Sequence, residues 1–266
     1  MFAIALQLAA MGTGMLAVLM VLTWLLSERL HNAGLVDVAW SLGLVILATS
    51  YAWQGPGWMV RKWLMAAMVA FWGIRLATHL IRRIASEPED GRYRQLRREW
   101  QGKNVSLRFL VFFEFQALLD VVLSLPMLTA ALNPAPQLSV LEYLGVGLWL
   151  VAVVGESVAD AQLAAFKRDG SNRGRVCQRG LWRYSRHPNY FFEWFVWVAW
   201  MVYALASPWG WVSVICPTLM LFFLYRVTGI PATEAQALRS RGQEYARYQQ
   251  TTSAFVPWFP KSQANG

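Results

Sequence analysis

Apolar positions along this chain gather into long unbroken runs, without the strict alternation that a half-buried strand would show. The runs cover roughly 4–26, 34–53, 58–81, 109–132, 138–166, 190–206 and 211–229. Crossing a bilayer core takes about 20 helical residues, with about 17 as the short limit. In lipid every backbone N–H and C=O must find a partner within a helix or a closed barrel. The runs are rich in Leu, Ala and Met, so the pattern predicts an all-α integral membrane protein with seven transmembrane helices, one membrane domain over 1–266. The first run lacks a preceding basic segment and a small-residue cleavage signal, so it reads as a span and not as a signal peptide. Gln54-Gly55-Pro56-Gly57, Asn133-Pro134-Ala135-Pro136 and Ser207-Pro208-Trp209-Gly210 punctuate the runs as turns.

The polar residues sharpen this picture. Two connections are strongly basic, 82–108 and 167–189, whereas those after the fourth and sixth runs contain neither Lys nor Arg. The positive-inside rule then places both basic loops and the 230–266 tail in the cytoplasm, and seven spans leave the N-terminus outside. Arg61-Lys62 falls on the outer side in this topology, flanked by Trp58 and Trp63 as in an interfacial belt. The composition agrees: 56% of residues are hydrophobic and 15% charged, against about a quarter charged in soluble domains. The net charge of +9 is concentrated in membrane-flanking loops, which argues against nucleic acid and for contact with membrane lipids. The two cysteines and three histidines are scattered without metal-ligand spacing, so no metal site is expected.

Orientation alone does not account for the second basic loop. It holds Lys167, Arg168, Arg173 and Arg175 among glycines at 170, 174 and 180, then Gly180-Leu181-Trp182-Arg183-Tyr184-Ser185-Arg186-His187-Pro188-Asn189-Tyr190. Guanidinium forks suit phosphate oxygens, and glycines allow close backbone approach. Asn189 and Glu193 are spaced i,i+4 at the start of an apolar run, where a carboxylate points to a ligand or partner. Without Gly-x-Gly-x-x-Gly after a strand, a Rossmann domain is not the vehicle.

The Gly180–Tyr190 segment with Glu193 resembles the signature of the steroid 5α-reductase family, including its bacterial members. Leu35-Val36-Asp37-Val38-Ala39-Trp40, Phe71-Trp72-Gly73-Ile74-Arg75-Leu76 and the segment from Gln243 to Trp258 are similar to other parts of that family. The resemblance implies a monomeric, multi-pass enzyme of the bacterial inner membrane that uses NADPH to reduce a 3-oxo-Δ4 steroid or related lipid enone. It carries NADPH contacts onto Asp160, Lys167, Arg175, Asn189 and Glu193, and sets Glu234 near a family histidine. Arg168, Trp182, Tyr184, Arg186 and His187 belong to the same cofactor-binding stretch. Arg-His-Pro-x-Tyr with a later Glu also resembles membrane methyltransferases that use S-adenosylmethionine. That donor lacks phosphate and carries a cationic sulfonium, so the cluster of cations suits NADPH better.

Hydride addition to an enone leaves negative charge on the carbonyl oxygen, which a proton donor stabilises. Asp37, three residues into an apolar run with Trp40 and Ser41 on its face, is the expected donor; Tyr190 is the second candidate. Asp37 either touches the substrate carbonyl or pairs with a helix neighbour such as Arg75. Trp40, Trp72 and Gln116 are expected to line the substrate pocket, and Asp120 to hydrogen-bond between helices.

Overall fold

The computed structural model describes residues 1–227 and 229–261, so Thr228 in the seventh expected span and residues 262–266 of the tail lie outside it. The described residues form α1 (Phe2–Leu30), α2 (Leu35–Gln54), α3 (Met59–Ser86), α4 (Gly91–Glu99), α5 (Val105–Leu123), α6 (Leu125–Leu132), α7 (Val140–Arg168), α8 (Pro188–Ala204), α9 (Ile215–Phe222) and α10 (Ile230–Thr251). Each expected span overlaps helical residues among those described. Five helical stretches are long and apolar enough to cross a membrane: α1, α2, α3, α7 and Gly210–Thr251. They become six if α5 and α6, bent by 41°, count as one. α8 has 17 residues, the short end of the usual range. The chain is a multi-pass α-helical membrane protein. Two compact units divide it, one of Met1–Ser139 with Ala204–Ser213 and one of Val140–Tyr203 with Val214–Gly266.

In the first unit α2 packs along α3, and α1 lies against α2 and α5. The α5–α6 bend follows from Pro126, which cannot donate within the helix. At the bend the Ser124 hydroxyl lies 3.3 Å from that of Tyr51. Residues 126–132 of α6 are all buried. The end of α6 and the residue after it support the α2–α3 turn: Gly57 donates its N–H to Ala131 O at 2.8 Å and Trp58 donates to Asn133 O at 2.9 Å.

Arg61 also belongs to this corner. It is 1% exposed, and its guanidinium donates to the carbonyls of Asn133 at 3.2 Å, Ala135 at 2.5 Å and Gln137 at 2.5 Å. Lys62 donates to Gly55 O at 2.6 Å. Both cations of the pair that strains the charge rule therefore satisfy loop carbonyls.

In the second unit a short connection of 3-10 turns leads from α7 to α8. Gly145 of α7 has no room for a side chain, because a Cβ there would lie 2.8 Å from Tyr203 N. Trp194 of α8 donates to Pro217 O of α9 at 2.9 Å. Beyond α9 a π turn, Phe223–Val227, precedes α10. Leu224, Ile230 and Phe255 form a core against which Tyr190, Phe191 and Trp194 pack.

Replacing Arg61 with Met keeps the bulk, removes the guanidinium donor of the Ala135 and Gln137 carbonyls and leaves Asn133 O with Trp58 N–H alone. At about 1–3 kcal/mol for each buried group left unpaired, R61M should lower the thermal midpoint of the detergent-solubilised protein clearly, and K62M less. Equal midpoints for R61M and the parent would show that the loop does not depend on Arg61.

Candidate functional site

The second unit places the basic signature at the junction of α7, α8 and α10. Arg186 is held inside it: Nε donates to Glu234 Oε1 at 2.7 Å, and Nη1 to Gln249 O at 3.0 Å and to Thr252 O at 2.5 Å. His187 Nε2 lies 3.3 Å from the same Glu234 oxygen, and Gln249 Nε2 donates to Oε2 at 2.8 Å. Burial pushes the Glu234 carboxyl up, but the hydrogen bonds from His187, Arg186 and Gln249, with the Arg186 charge, outweigh it and hold the group at about 2. Arg186, His187 and Glu234 are thus directed at one another. Trp182 is equally engaged, donating its indole N–H to Ala159 O at 2.8 Å. Tyr184 packs edge-on against Phe259 at 5.9 Å, and its carbonyl accepts from Trp258 N at 2.9 Å.

Lys167, Arg168 and Arg175 behave differently. Together with Arg173 they are exposed, and among the described residues none of the four forms an ion pair. The loop that carries them is nevertheless shaped. Asp169 accepts from the N–H and hydroxyl of Ser171 at 3.0 and 2.7 Å, Arg241 donates to Arg175 O at 3.0 Å, and Val176 N–H donates to Glu244 at 3.0 Å. Between α7 and α8, Asn189 Nδ2 donates to Asp160 at 3.4 Å, and within α8 Glu193 accepts from Trp197 Nε1 at 3.2 Å. Two residues 29 apart in sequence, both expected at a cofactor, are therefore brought together. Tyr190 stacks on His187 with ring centroids 5.3 Å apart, and its hydroxyl lies 3.1 Å from that of Thr233.

In the first unit Asp37 is the centre of a second cluster. Tyr93 donates its hydroxyl to Oδ1 at 2.6 Å and Arg92 donates Nη2 to Oδ2 at 3.0 Å. Both donors lie on α4, whose N-terminus is capped by Asp90 accepting from Arg92 N at 2.9 Å. Asp90 also bonds Arg83 and Arg92. Burial pushes the Asp90 carboxyl up, and the two guanidinium groups outweigh this and hold it low. Burial raises the Tyr93 phenol well above its ordinary value, and the neighbouring Asp37 charge adds to the effect.

The helix-neighbour alternative for Asp37 needs correcting: its partners are Arg92 and Tyr93, not Arg75. Tyr93 and Arg92 escaped sequence reasoning because they lie in a loop whose charge reads as an orientation signal. The signal that could have found them is Asp90-Gly91, an N-cap opening a short helix.

The expected pocket residues lie in the same unit. Trp72 is fully buried and meets Trp40 edge-on at 5.9 Å, and Gln116 is half-buried on α5. Asp120 is a second correction. The expected interhelical hydrogen bond is missing: the carboxyl is completely buried, and neither oxygen has a hydrogen-bond partner among the described residues. It faces Gly43 of α2, where a Cβ would lie 2.6 Å from Oδ2.

These features define a class: a multi-pass α-helical membrane protein with a glycine-punctuated, cation-rich loop between two of its helices. The family described as "Protein of unknown function (DUF1295)" matches residues 23–252, and the chain belongs to that family. No curated protein matches the chain, and no solved structure does.

The Glu234 cluster makes stability depend on acid. A carboxyl held at about 2, against an ordinary value of 4.5, contributes stability that is complete above 4.5 and is lost as pH falls from there towards 2. The thermal midpoint should therefore drop through that window. E234Q should start lower at neutral pH and lack this part of the fall. Parallel acid profiles for the two proteins would contradict the assignment.

Proposed function

We propose that the chain is a membrane reductase that uses NADPH to reduce the Δ4 double bond of a 3-oxo-Δ4 steroid or a related lipid enone. The observation that carries the reading is a contrast within the second unit. Arg186 is neutralised by Glu234, whereas Lys167, Arg168, Arg173 and Arg175, four cations within nine residues, are exposed and make no ion pair among the described residues. Such a surface fits an anion with several phosphates. The pyrophosphate and 2′-phosphate of NADPH meet that description, and the cationic sulfonium of S-adenosylmethionine does not. A charge-assisted hydrogen bond contributes about 1.5–3 kcal/mol, so two or three of them discriminate strongly between these ligands.

The remaining groups fit the same ligand. Lys167, Arg168 and Arg175 would take phosphate oxygens, while Asp160, Asn189 and Glu193 offer acceptors and an amide donor for hydroxyl and carboxamide groups. Arg186, His187, Glu234, Trp182 and Tyr184 act in this reading by holding the loop in shape. NADPH, when bound, supplies the hydride for the β-carbon. The chain's own task at the substrate is to hold a proton and to stabilise the oxyanion. The Asp37–Tyr93 pair suits it, with a hydroxyl proton shared over 2.6 Å. The Arg92 guanidinium at 3.0 Å from Asp37 offsets the negative charge. Trp40, backed edge-on by the buried Trp72, provides a flat apolar surface for a fused-ring lipid, and Gln116 a polar contact. Tyr190, stacked on His187 with its hydroxyl 3.1 Å from that of Thr233, is the second candidate donor. Family membership leaves the activity open; the resemblance of the Gly180–Tyr190 signature to steroid 5α-reductases supplies the substrate class.

Thermal shift of the purified protein is the direct test. NADPH should raise the midpoint, NADH less because it lacks the 2′-phosphate, and S-adenosylmethionine not at all. K167A and R175A should each weaken NADPH binding by about tenfold, the loss of roughly one charged hydrogen bond. Stabilisation by S-adenosylmethionine with indifference to NADPH would move the chain to the methyltransferases. At the second cluster, Y93F should reduce turnover of a 3-oxo-Δ4 steroid by about 10²–10⁴-fold, the usual contribution of a positioned acid. Its NADPH affinity should stay at the parent value. Full turnover by Y93F would remove the phenol from the reaction.

A further inference from the structure

Three of the eight cations of the first basic loop have carboxylate partners among the described residues. Arg83 pairs with Asp90, Arg92 with Asp37 and Asp90, and Arg97 with Glu89. Lys103 and Arg108 do not: both are exposed, and among the described residues neither forms an ion pair. They sit on the rim of a surface concavity of about 690 Å³ at the start of α5, and no carboxylate lines it. Its floor is apolar. Leu107, Val111 and Phe115, spaced by one helical turn, form a stripe that is 52%, 62% and 53% exposed. Arg108 lies over the Trp100 ring, 5.9 Å from its centroid, which directs the guanidinium towards the same rim.

Two unneutralised cations at the head of an exposed apolar stripe have the pattern of a phospholipid: anionic at one end, hydrocarbon along the rest. We propose that this concavity is a specific site for an anionic phospholipid. Its phosphate lies between Lys103 and Arg108, and one acyl chain runs along Leu107, Val111 and Phe115. A zwitterionic headgroup brings its own cation to the rim and gains less there. Free phosphate has no use for the apolar floor. The site uses none of the residues assigned to reduction, so it stands or falls apart from that reading.

The test compares delipidated protein in neutral detergent with added phosphatidylglycerol, phosphatidylcholine of the same chains, or inorganic phosphate. Phosphatidylglycerol should raise the thermal midpoint by several degrees, and the other two should leave it near its starting value. The K103A/R108A double variant should lose that shift, whereas R82A/R94A, which removes two exposed cations outside the concavity, should keep it. Native mass spectrometry of parent protein extracted from membranes should show retained phosphatidylglycerol, with retention at least fivefold lower in R108Q. This gives a readout even if the double variant does not fold. Equal stabilisation by phosphatidylcholine, full stabilisation by inorganic phosphate, or an equal loss in R82A/R94A would each overturn the site.

Discussion

Hydrocarbon offers no hydrogen-bond partner, and this constraint sorts every polar group in the structure. A charge that must lie inside a helical unit needs a counter-charge or a set of dipoles. Arg61 finds three loop carbonyls and Arg186 finds Glu234 with two more carbonyls. Both guanidinium groups fasten the chain ends that meet around them. Asp120 departs from this rule: it is completely buried and unbonded among the described residues, against a glycine that leaves it space.

The same sorting separates arginines that sequence leaves equivalent. Arg175 and Arg186 stand in one basic stretch and both suit a phosphate by residue type. One is exposed and forms no ion pair among the described residues, and the other is sealed into a network with His187 and Glu234. Pairing, more than type, decides which cation remains available to a ligand. The first basic loop divides in the same way, with Arg97 bound to Glu89 and Arg108 left at the surface.

The helices were legible because a membrane span writes itself as a long apolar run. The bend between α5 and α6 was not, since Pro126 sits within apolar residues and the run continues through it. The local half of the signature could also be read: Asn189 and Glu193 share a face by simple helical spacing, and Asp160 joined them through the family resemblance. What could not be read were the long-range partners. Asp37 and Tyr93 are 56 residues apart, and Arg186 and Glu234 are 48 apart. Periodicity carries no information over such distances. The burial of Arg61 was hidden for a related reason. A charge count registers that a cation is present but not whether carbonyls 72 to 76 residues away will enclose it.

The loop around Trp182 and Ser185 is clamped by later chain. Arg186 N–H donates to Ser253 O at 2.9 Å, the Ser185 hydroxyl to Phe255 O at 2.7 Å, and the Tyr248 hydroxyl to the carbonyls of Trp182 and Ser185. Residues that give this loop its form thus leave the ribosome 70 positions and more after it. During synthesis α7 and α8 can enter the bilayer while the basic segment between them is still unshaped. Its final form must wait for the segment through Trp258, which donates to Tyr184 O. Insertion and maturation are then separate events, and a nascent chain halted between them would be embedded without a finished loop.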